Sequence, residues 1–168
     1  MLHSYCGISP KLEDTVFRAG SAEIIGDVEI GSYSSVWFNV VIRGDVNYIR
    51  IGARTNIQDG TVVHVTHEQH PTLIGDDVTI GHNVTLHGCR IGNRCLIGMG
   101  AIVMDAVTIE DDAMIAAGAL LTPGTHVPTG VLFAGSPAKY KRHLSGDEIA
   151  NLRQSALNYL KYVESYKI

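Results

Sequence analysis

Small aliphatic residues recur at every sixth position through most of this chain. The recurring positions are Ile24, Ile30, Val36 and Ile42, then Ile51, Ile57 and Val63, then Ile74, Ile80 and Leu86, then Ile91, Ile97, Val103, Ile109, Ile115 and Leu121. A period of six is neither the 3.6-residue period of a helix nor the simple alternation of a strand. It predicts short strands that are separated by turns.

Three units of this kind can close a triangular coil of about 18 residues, with each aliphatic residue pointing inward onto its copy in the next coil. The predicted fold is therefore all-β: a parallel β-helix of hexapeptide repeats that forms a three-sided prism over residues 1–144. Residues 145–168 are predicted as a second unit, a helix over about 146–165 that packs on the prism of its own chain or of the next. Ser145 and Glu148 have the spacing of a capping box at the start of this helix.

Counting the repeat around the coils assigns each residue to one of three faces. Face A carries Ile24, Ile42, Val63 and Leu86; face B carries Ile30, Ile51, Ile74 and Ile91; face C carries Val36, Ile57 and Ile80. The step from Ile42 to Ile51 contains three extra residues, which predicts a longer turn. The step from Val63 to Ile74 contains five, which predicts a solvated loop.

Three histidines take defined places in this scheme. His64 and His87 each follow an inward residue of face A directly, on successive coils. They are therefore predicted to point outward and to lie about one strand spacing apart, about 4.8 Å. His82 stands two residues after Ile80 on face C, and Asp59 holds the same place one coil earlier. A site containing all three histidines needs face C of one chain to meet face A of another, in a ring that the triangular prism makes threefold.

Three neutral imidazoles with one open position form a catalytic zinc site, where the pKa of bound water falls to about 7. Gln58, Asp59 and Asp45 are candidates to orient the second ring nitrogens of such ligands. The competing interpretation is that each histidine is an ordinary surface residue, and that Arg43 and Asp59 form a simple salt bridge between subunits.

Composition narrows the classes of function. The net charge is −4, and the basic residues form only a short run at Lys139, Lys141 and Arg142, so nucleic acid is not an expected partner. Three cysteines without a CxxC pair predict reduced thiols in the cytoplasm. We expect neither a signal peptide nor a membrane span.

Several segments together resemble the γ-class carbonic anhydrase family. They are "VIRGD" at 41–45, "NIQDGTVVHV" at 56–65, "IGHNVTLHGC" at 80–89, "IGMGAIV" at 97–103 and "AGSPAKYKRHL" at 134–144. The resemblance implies left-handed coils and a homotrimer with a metal at each subunit interface. It implies that His64 and His87 of one chain and His82 of its neighbour bind Zn²⁺, with Fe²⁺ or Co²⁺ as alternatives.

The resemblance also implies an activity, in which metal-bound hydroxide attacks carbon dioxide to give bicarbonate. Gln58 would orient the hydroxide and Asn56 would support Gln58. Arg43 and Asp59 would pair across the interface, and Tyr159 would lie near the metal. Three other functions stay open: hydrolysis of acyl-coenzyme A thioesters at the same metal, acyl transfer as in many hexapeptide proteins, and a non-catalytic trimer stapled by metal.

The chain departs from the family pattern at the residues expected to move protons. The loop after His64 is short, and Val46 stands where an acidic residue is expected. His67, Glu68 or His70 could take over the transfer of protons, since histidine titrates near neutral pH.

Overall fold

In the computed structural model, which describes residues 1–166, the chain winds through short strands into a β-helix and ends in a helix. The first strands are β1 Leu2–His3, β2 Lys11–Leu12, β3 Phe17–Arg18, β4 Glu23–Ile30, β5 Ser35–Val36 and β6 Val41–Ile51. The next are β7 Asn56–Ile57, β8 Val62–His64, β9 Thr72–Ile74, β10 Thr79–Ile80, β11 Thr85–His87, β12 Arg90–Ile91 and β13 Leu96–Ile97. The last elements are β14 Ile102–Val103, β15 Thr108–Ile109, β16 Met114–Ile115, β17 Leu120–Leu121, β18 His126–Val127, β19 Val131–Gly135, β20 Ala138–His143 and helix α1 Gly146–Glu164.

The aliphatic residues form the three predicted stacks. On face A, Ile42 pairs with Val63, and Val63 pairs with Leu86, in parallel register. On face C, Ile57 pairs with Ile80 in the same way. All five side chains are buried, and burial of each contributes roughly 1.5–3 kcal/mol. The predicted fold class, a left-handed parallel β-helix with a C-terminal helix, is confirmed.

The coils extend beyond the predicted repeat at both ends. Val127 continues face B below Ile109, and Phe133 continues face C below Ile115. At the other end, Leu12 pairs with Ile30. The spacing of six persists to Val127 and Phe133, but phenylalanine in place of a small aliphatic residue hides the last unit.

The three extra residues between faces A and B do not form the predicted turn. Strand β6 runs without a break around the corner of the prism, and its register against β4 shifts between the pairs Gly26–Gly44 and Val28–Ile49. The extra residues are thus a bulge within a continuous strand, and bulges redirect side chains. Asp45 lies on this bulge.

Helix α1 packs on strands β5 and β10 of its own chain, and it buries Leu152, Ala156 and Val163. The predicted capping box is present: the Ser145 hydroxyl accepts from the Glu148 N–H, and the Glu148 carboxylate accepts from the Ser145 N–H. The final two residues of the predicted second unit, 167–168, lie outside the described residues. Within residues 1–166, no helix has both the length and the apolar character to cross a membrane.

Candidate metal centre

His64 and His87 stand side by side on face A. They are paired in register on β8 and β11, as predicted, and their ring centroids are 5.1 Å apart. The Nδ1 of His64 lies 3.2 Å from the Nε2 of His87. The other nitrogen of each ring faces a carboxylate, Asp45 for His64 and Asp105 for His87, so the ring N–H can point there and leave the two facing nitrogens with lone pairs that can be directed at the same cation.

Asp45 contacts the far side of the His64 ring. Its Oδ1 lies 2.9 Å from His64 Nε2, and its Oδ2 accepts a hydrogen bond from the Arg43 guanidinium. Partial burial raises the pKa of Asp45, but the hydrogen bonds from His64 and Arg43 outweigh it, so the pKa lies below its usual value. The carboxylate is therefore charged at neutral pH, and the bulge in β6 has placed it where it can fix the orientation of His64.

Asp105 contacts His87 in the same manner, although the sequence prediction does not include it. Its Oδ1 lies 2.8 Å from His87 Nδ1 and accepts a hydrogen bond of 2.6 Å from the Thr66 hydroxyl. Burial raises the pKa of Asp105, and the bonds from Thr66 and His87 lower it by more. The repeat contains the signal that could have identified Asp105. Val103 is the next face A residue after Leu86, and Asp105 follows Val103 by two positions.

Gly88 makes room for this carboxylate. A Cβ atom at Gly88 would lie 2.2 Å from Asp105 Oδ1 and 2.8 Å from the Cβ of His70, and the backbone there has a φ of +54°. Both the conformation and the space exclude a larger residue. The short step between faces A and B, from Leu86 to Ile91, turns on this glycine.

His82 lies on face C, apart from the histidine pair. Its Nδ1 lies 2.8 Å from Asp59 Oδ2, and the other oxygen of Asp59 accepts from the Phe38 N–H at 3.1 Å. Within residues 1–166 of one chain, no group of three or more His, Cys, Asp and Glu side chains is placed to bind a metal ion. In the described part of one chain, His82 is therefore not grouped with His64 and His87.

Gln58 and Asn56 form a buried polar pair on the coil that precedes His82. Gln58 Nε2 donates to Asn56 Oδ1 at 3.0 Å, and the two residues are 6% and 1% exposed. Of the three candidates to orient a histidine, Asp45 and Asp59 each contact one, whereas Gln58 contacts none in this chain. With His82 and Tyr159 it borders an apolar groove of about 490 Å³ between helix α1 and face C.

Tyr159 connects this groove to a group of aromatic rings. It packs edge-on against Trp37, with ring centroids 5.5 Å apart. Burial raises the pKa of Tyr159, and the nearby Asp59 adds to the shift, so its hydroxyl is protonated at neutral pH. Tyr159 and His82 line the same groove, and Tyr159 lies on helix α1.

Other titratable residues near the site in sequence are either buried in the core or exposed on a loop. Cys89 and Cys95 are buried, and burial raises the pKa of each thiol to about 12, so neither is a thiolate ligand. His67 and Glu68 project from the loop after β8, with side chains that are 69% and 82% exposed.

The donor set fits a zinc ion. Two imidazoles present facing nitrogens, and each is held on its other nitrogen by an ionised carboxylate, the pattern of carboxylate–histidine–zinc sites. His82 has a carboxylate partner of its own, Asp59, on its Nδ1, which leaves its Nε2 available for a third bond to the metal.

Comparison with known proteins assigns the chain to a family. The family model "Bacterial transferase hexapeptide (six repeats)" matches residues 88–123, and "Hexapeptide repeat of succinyl-transferase" matches residues 71–104. Carbonic anhydrase of Geobacillus kaustophilus is 41% identical over 99% of this chain and 91% of its own length. Gamma carbonic anhydrase 2 of Arabidopsis thaliana mitochondria is 47% identical over 93% of this chain. The chain belongs to the γ-class carbonic anhydrase family.

Two further relatives show how evenly the similarity is spread. Protein YrdA of Escherichia coli is 48% identical over 99% of this chain and 94% of its own length. A crystal structure of a hexapeptide transferase family protein from Anaplasma phagocytophilum superposes with a TM-score of 0.95 at 49% identity, covering 98% of this chain and 97% of that one. The chain spans only 58% of the Arabidopsis protein, so γ-class carbonic anhydrases include longer proteins than this one.

Proposed function

We propose that the protein is a zinc-dependent carbonic anhydrase whose sites form between the subunits of a homotrimer. The observation that carries this proposal is the pair of facing histidines, His64 and His87, each held by its own carboxylate. The pair supplies two ligands, and His82 of a neighbouring subunit would supply the third. Relatives named carbonic anhydrase support the reaction.

The surface beside the histidine pair supports the trimer. Val62 and Ile102 project outward from face A and are 41% and 43% exposed in the single chain. They occupy corresponding positions on β8 and β14, with β11 between them. Large aliphatic side chains in a row on a surface favour association, and a second subunit that covered them would bring its face C toward His64 and His87.

The roles of the chain's own residues follow from their contacts. His64, His87 and His82 would hold zinc, and Asp45, Asp105 and Asp59 fix the tautomers that leave the metal-facing nitrogens unprotonated. When bound, zinc lowers the pKa of a coordinated water to about 7 and so supplies a nucleophile at neutral pH.

The remaining predicted residues act on the substrates. Gln58 presents its side-chain oxygen to the nucleophilic water, and Tyr159 presents a protonated hydroxyl to a developing bicarbonate oxygen. Arg43 reaches the edge of face A, where it keeps Asp45 ionised and can also meet Asp59 of the neighbouring subunit. The proton released by each turnover leaves through the exposed loop of His67 and Glu68.

A second candidate, hydrolysis of acyl thioesters at the same site, is favoured by the groove beside His82. Its volume of about 490 Å³ is far larger than carbon dioxide requires, and Leu96, Met99 and Met114 line it with apolar surface. An acyl group in this groove would place its carbonyl carbon near Gln58 and Tyr159.

The test is stopped-flow hydration of carbon dioxide by protein of known metal content, loaded with zinc and, without oxygen, with iron. Turnover that is lost in His87→Ala would support the anhydrase. A fully metallated trimer that hydrates no carbon dioxide but hydrolyses short acyl-coenzyme A esters would favour the second candidate. A metallated trimer that is inactive on both would leave the metal a structural role only.

A further inference from the structure

Resting on the proposed function, we propose that Thr79 and Ser155 are positioning residues for Gln58. A chain of hydrogen bonds runs from helix α1 through β10 and β7 to the candidate site. Its links are Thr79 Oγ1 to Ser155 Oγ at 3.2 Å, Asn56 Nδ2 to Thr79 Oγ1 at 3.0 Å, and Gln58 Nε2 to Asn56 Oδ1 at 3.0 Å. Each link fixes the direction of the next.

The direction begins at a group that can only accept. Asn56 Nδ2 lies 3.3 Å from the carbonyl oxygen of Val78, besides its bond to Thr79. A backbone carbonyl has no proton, so the nitrogen of the Asn56 amide must face Val78 and its oxygen must face Gln58. Gln58 in turn must offer its nitrogen to Asn56. Reversing either amide would set oxygen against oxygen or nitrogen against nitrogen.

Ser155 completes the restraint because a hydroxyl has a single proton. Thr79 accepts from Asn56 and gives its own proton to Ser155. Without Ser155, the Thr79 hydroxyl is free to rotate and donate toward Asn56, so it would oppose the amide orientation that the Val78 carbonyl sets instead of reinforcing it. Asn56 and Thr79 are 1% and 4% exposed, so solvent cannot replace a missing partner cheaply.

The consequence is that Gln58 presents an acceptor to the groove. Its nitrogen is bound to Asn56, and no donor within residues 1–166 contacts its Oε1. The residue is nevertheless 6% exposed and borders the groove that His82 and Tyr159 also line. An acceptor suits a nucleophilic water, which has protons to donate, whereas a reversed amide would offer a donor and turn that water away.

The proposal is tested with Thr79→Val, Thr79→Ser and Ser155→Ala, and with Thr108→Val as a threonine-to-valine control on another coil. Side-chain amide NMR of Gln58 and Asn56 in metal-free protein reports the network without any turnover. Thr79→Val and Ser155→Ala should shift both amide signals and speed their hydrogen exchange. Thr79→Ser and Thr108→Val should leave them as in the original protein.

Turnover of the zinc-loaded trimer provides the second readout. We expect Thr79→Val to lower kcat about tenfold or more with little change in KM, and Thr79→Ser to restore kcat to within about twofold. Unchanged amide signals and unchanged kcat in both Thr79→Val and Ser155→Ala would overturn the proposal. If the original protein hydrates no carbon dioxide, the proposed function fails, while the NMR comparison still decides whether Thr79 and Ser155 orient Gln58. Ser155→Ala removes one surface-helix hydroxyl and decides the matter if Thr79→Val does not fold.

Discussion

Asp105 reaches His87 from the neighbouring coil, with 2.8 Å between its Oδ1 and the ring Nδ1. The bond joins β11 to the turn that follows β14, so two coils contribute to the orientation of one imidazole. Asp45 and His64 form the matching pair at 2.9 Å. The histidine pair is therefore oriented from both sides before any metal binds.

Replacing Asp105 by Asn should weaken zinc binding about 10- to 100-fold, because the amide no longer stabilises the protonated Nδ1 of His87. Competition with a chromophoric chelator measures the affinity. Glu110→Gln is the matched control, since Glu110 also bonds a histidine, His126, at 2.9 Å on an exposed surface. Equal zinc affinity in the two variants would show that Asp105 does not act on the metal site.

Replacing Gly88 by Ala should destabilise the protein more than the same change at Gly124. Both glycines have a positive φ, +54° and +72°, so both changes carry a conformational cost of about 1–2 kcal/mol. A Cβ at Gly124 meets nothing within 4 Å, whereas one at Gly88 meets Asp105. We expect an additional loss of about 1–3 kcal/mol for Gly88→Ala from overpacking. Urea unfolding of both variants measures the difference, and equal midpoints would contradict the prediction.

Mixing two inactive variants should rebuild the shared site. His82→Ala keeps the face A ligands and His64→Ala keeps the face C ligand, so an equal mixture of the two chains that assembles at random into trimers should contain about one complete site in four. Bound zinc after refolding the mixture measures the recovery. The control mixes His64→Ala with His87→Ala, which both damage face A and should recover nothing. Recovery in the control, or none in the test, would rule out the two-chain site.

The start of helix α1 should lose stability in acid. Arg142 donates to Glu148 and Ser145 donates a backbone N–H, and together they lower the pKa of Glu148 from 4.5 to about 2. Because the pKa is lower in the folded state, the stabilisation is complete above pH 4.5 and disappears as the pH falls toward 2.

The measurement is urea unfolding of the original protein and of Glu148→Gln at several pH values, with circular dichroism as the signal. Their free energies of unfolding should differ at pH 6 and converge as the pH approaches 2. Asp147→Asn, which removes a carboxylate from the same turn and leaves the capping box intact, serves as control. A difference between Glu148→Gln and the original protein that does not change with pH would exclude the proposed ion pair.

The register of the site could be predicted because the repeat fixes it. Counting inward residues alone places His64 beside His87 and Asp59 beside His82, and the structure has both pairs. The position of Asp105 beside His87 could have been predicted by continuing the same count one coil further, from Leu86 to Val103. In a solenoid each coil contacts its neighbours, so residues far apart in sequence have predictable distances.

Other features depend on geometry that the repeat does not contain. The bulge in β6 that aims Asp45 depends on how three extra residues are absorbed at a corner, and a turn would have satisfied the same spacing. The bond from Thr79 to Ser155 depends on how helix α1 rotates about its axis when it docks on face C. Its apolar positions define the buried side of α1 but not the residue that meets Thr79.

The hairpin of β19 and β20 has a consequence for how the molecule behaves among its copies. A parallel β-helix that stopped at β19 would present unpaired backbone groups on which the first coil of another molecule could continue the sheet, end to end. Strand β20 instead folds back antiparallel and covers that edge. It carries Lys139, Lys141 and Arg142 on exposed positions. Arg142 pairs with Glu148, and the two lysines would meet any further strand with positive charge. On this face of the prism, strand β20 and its lysines therefore work against end-to-end association of one molecule with the next.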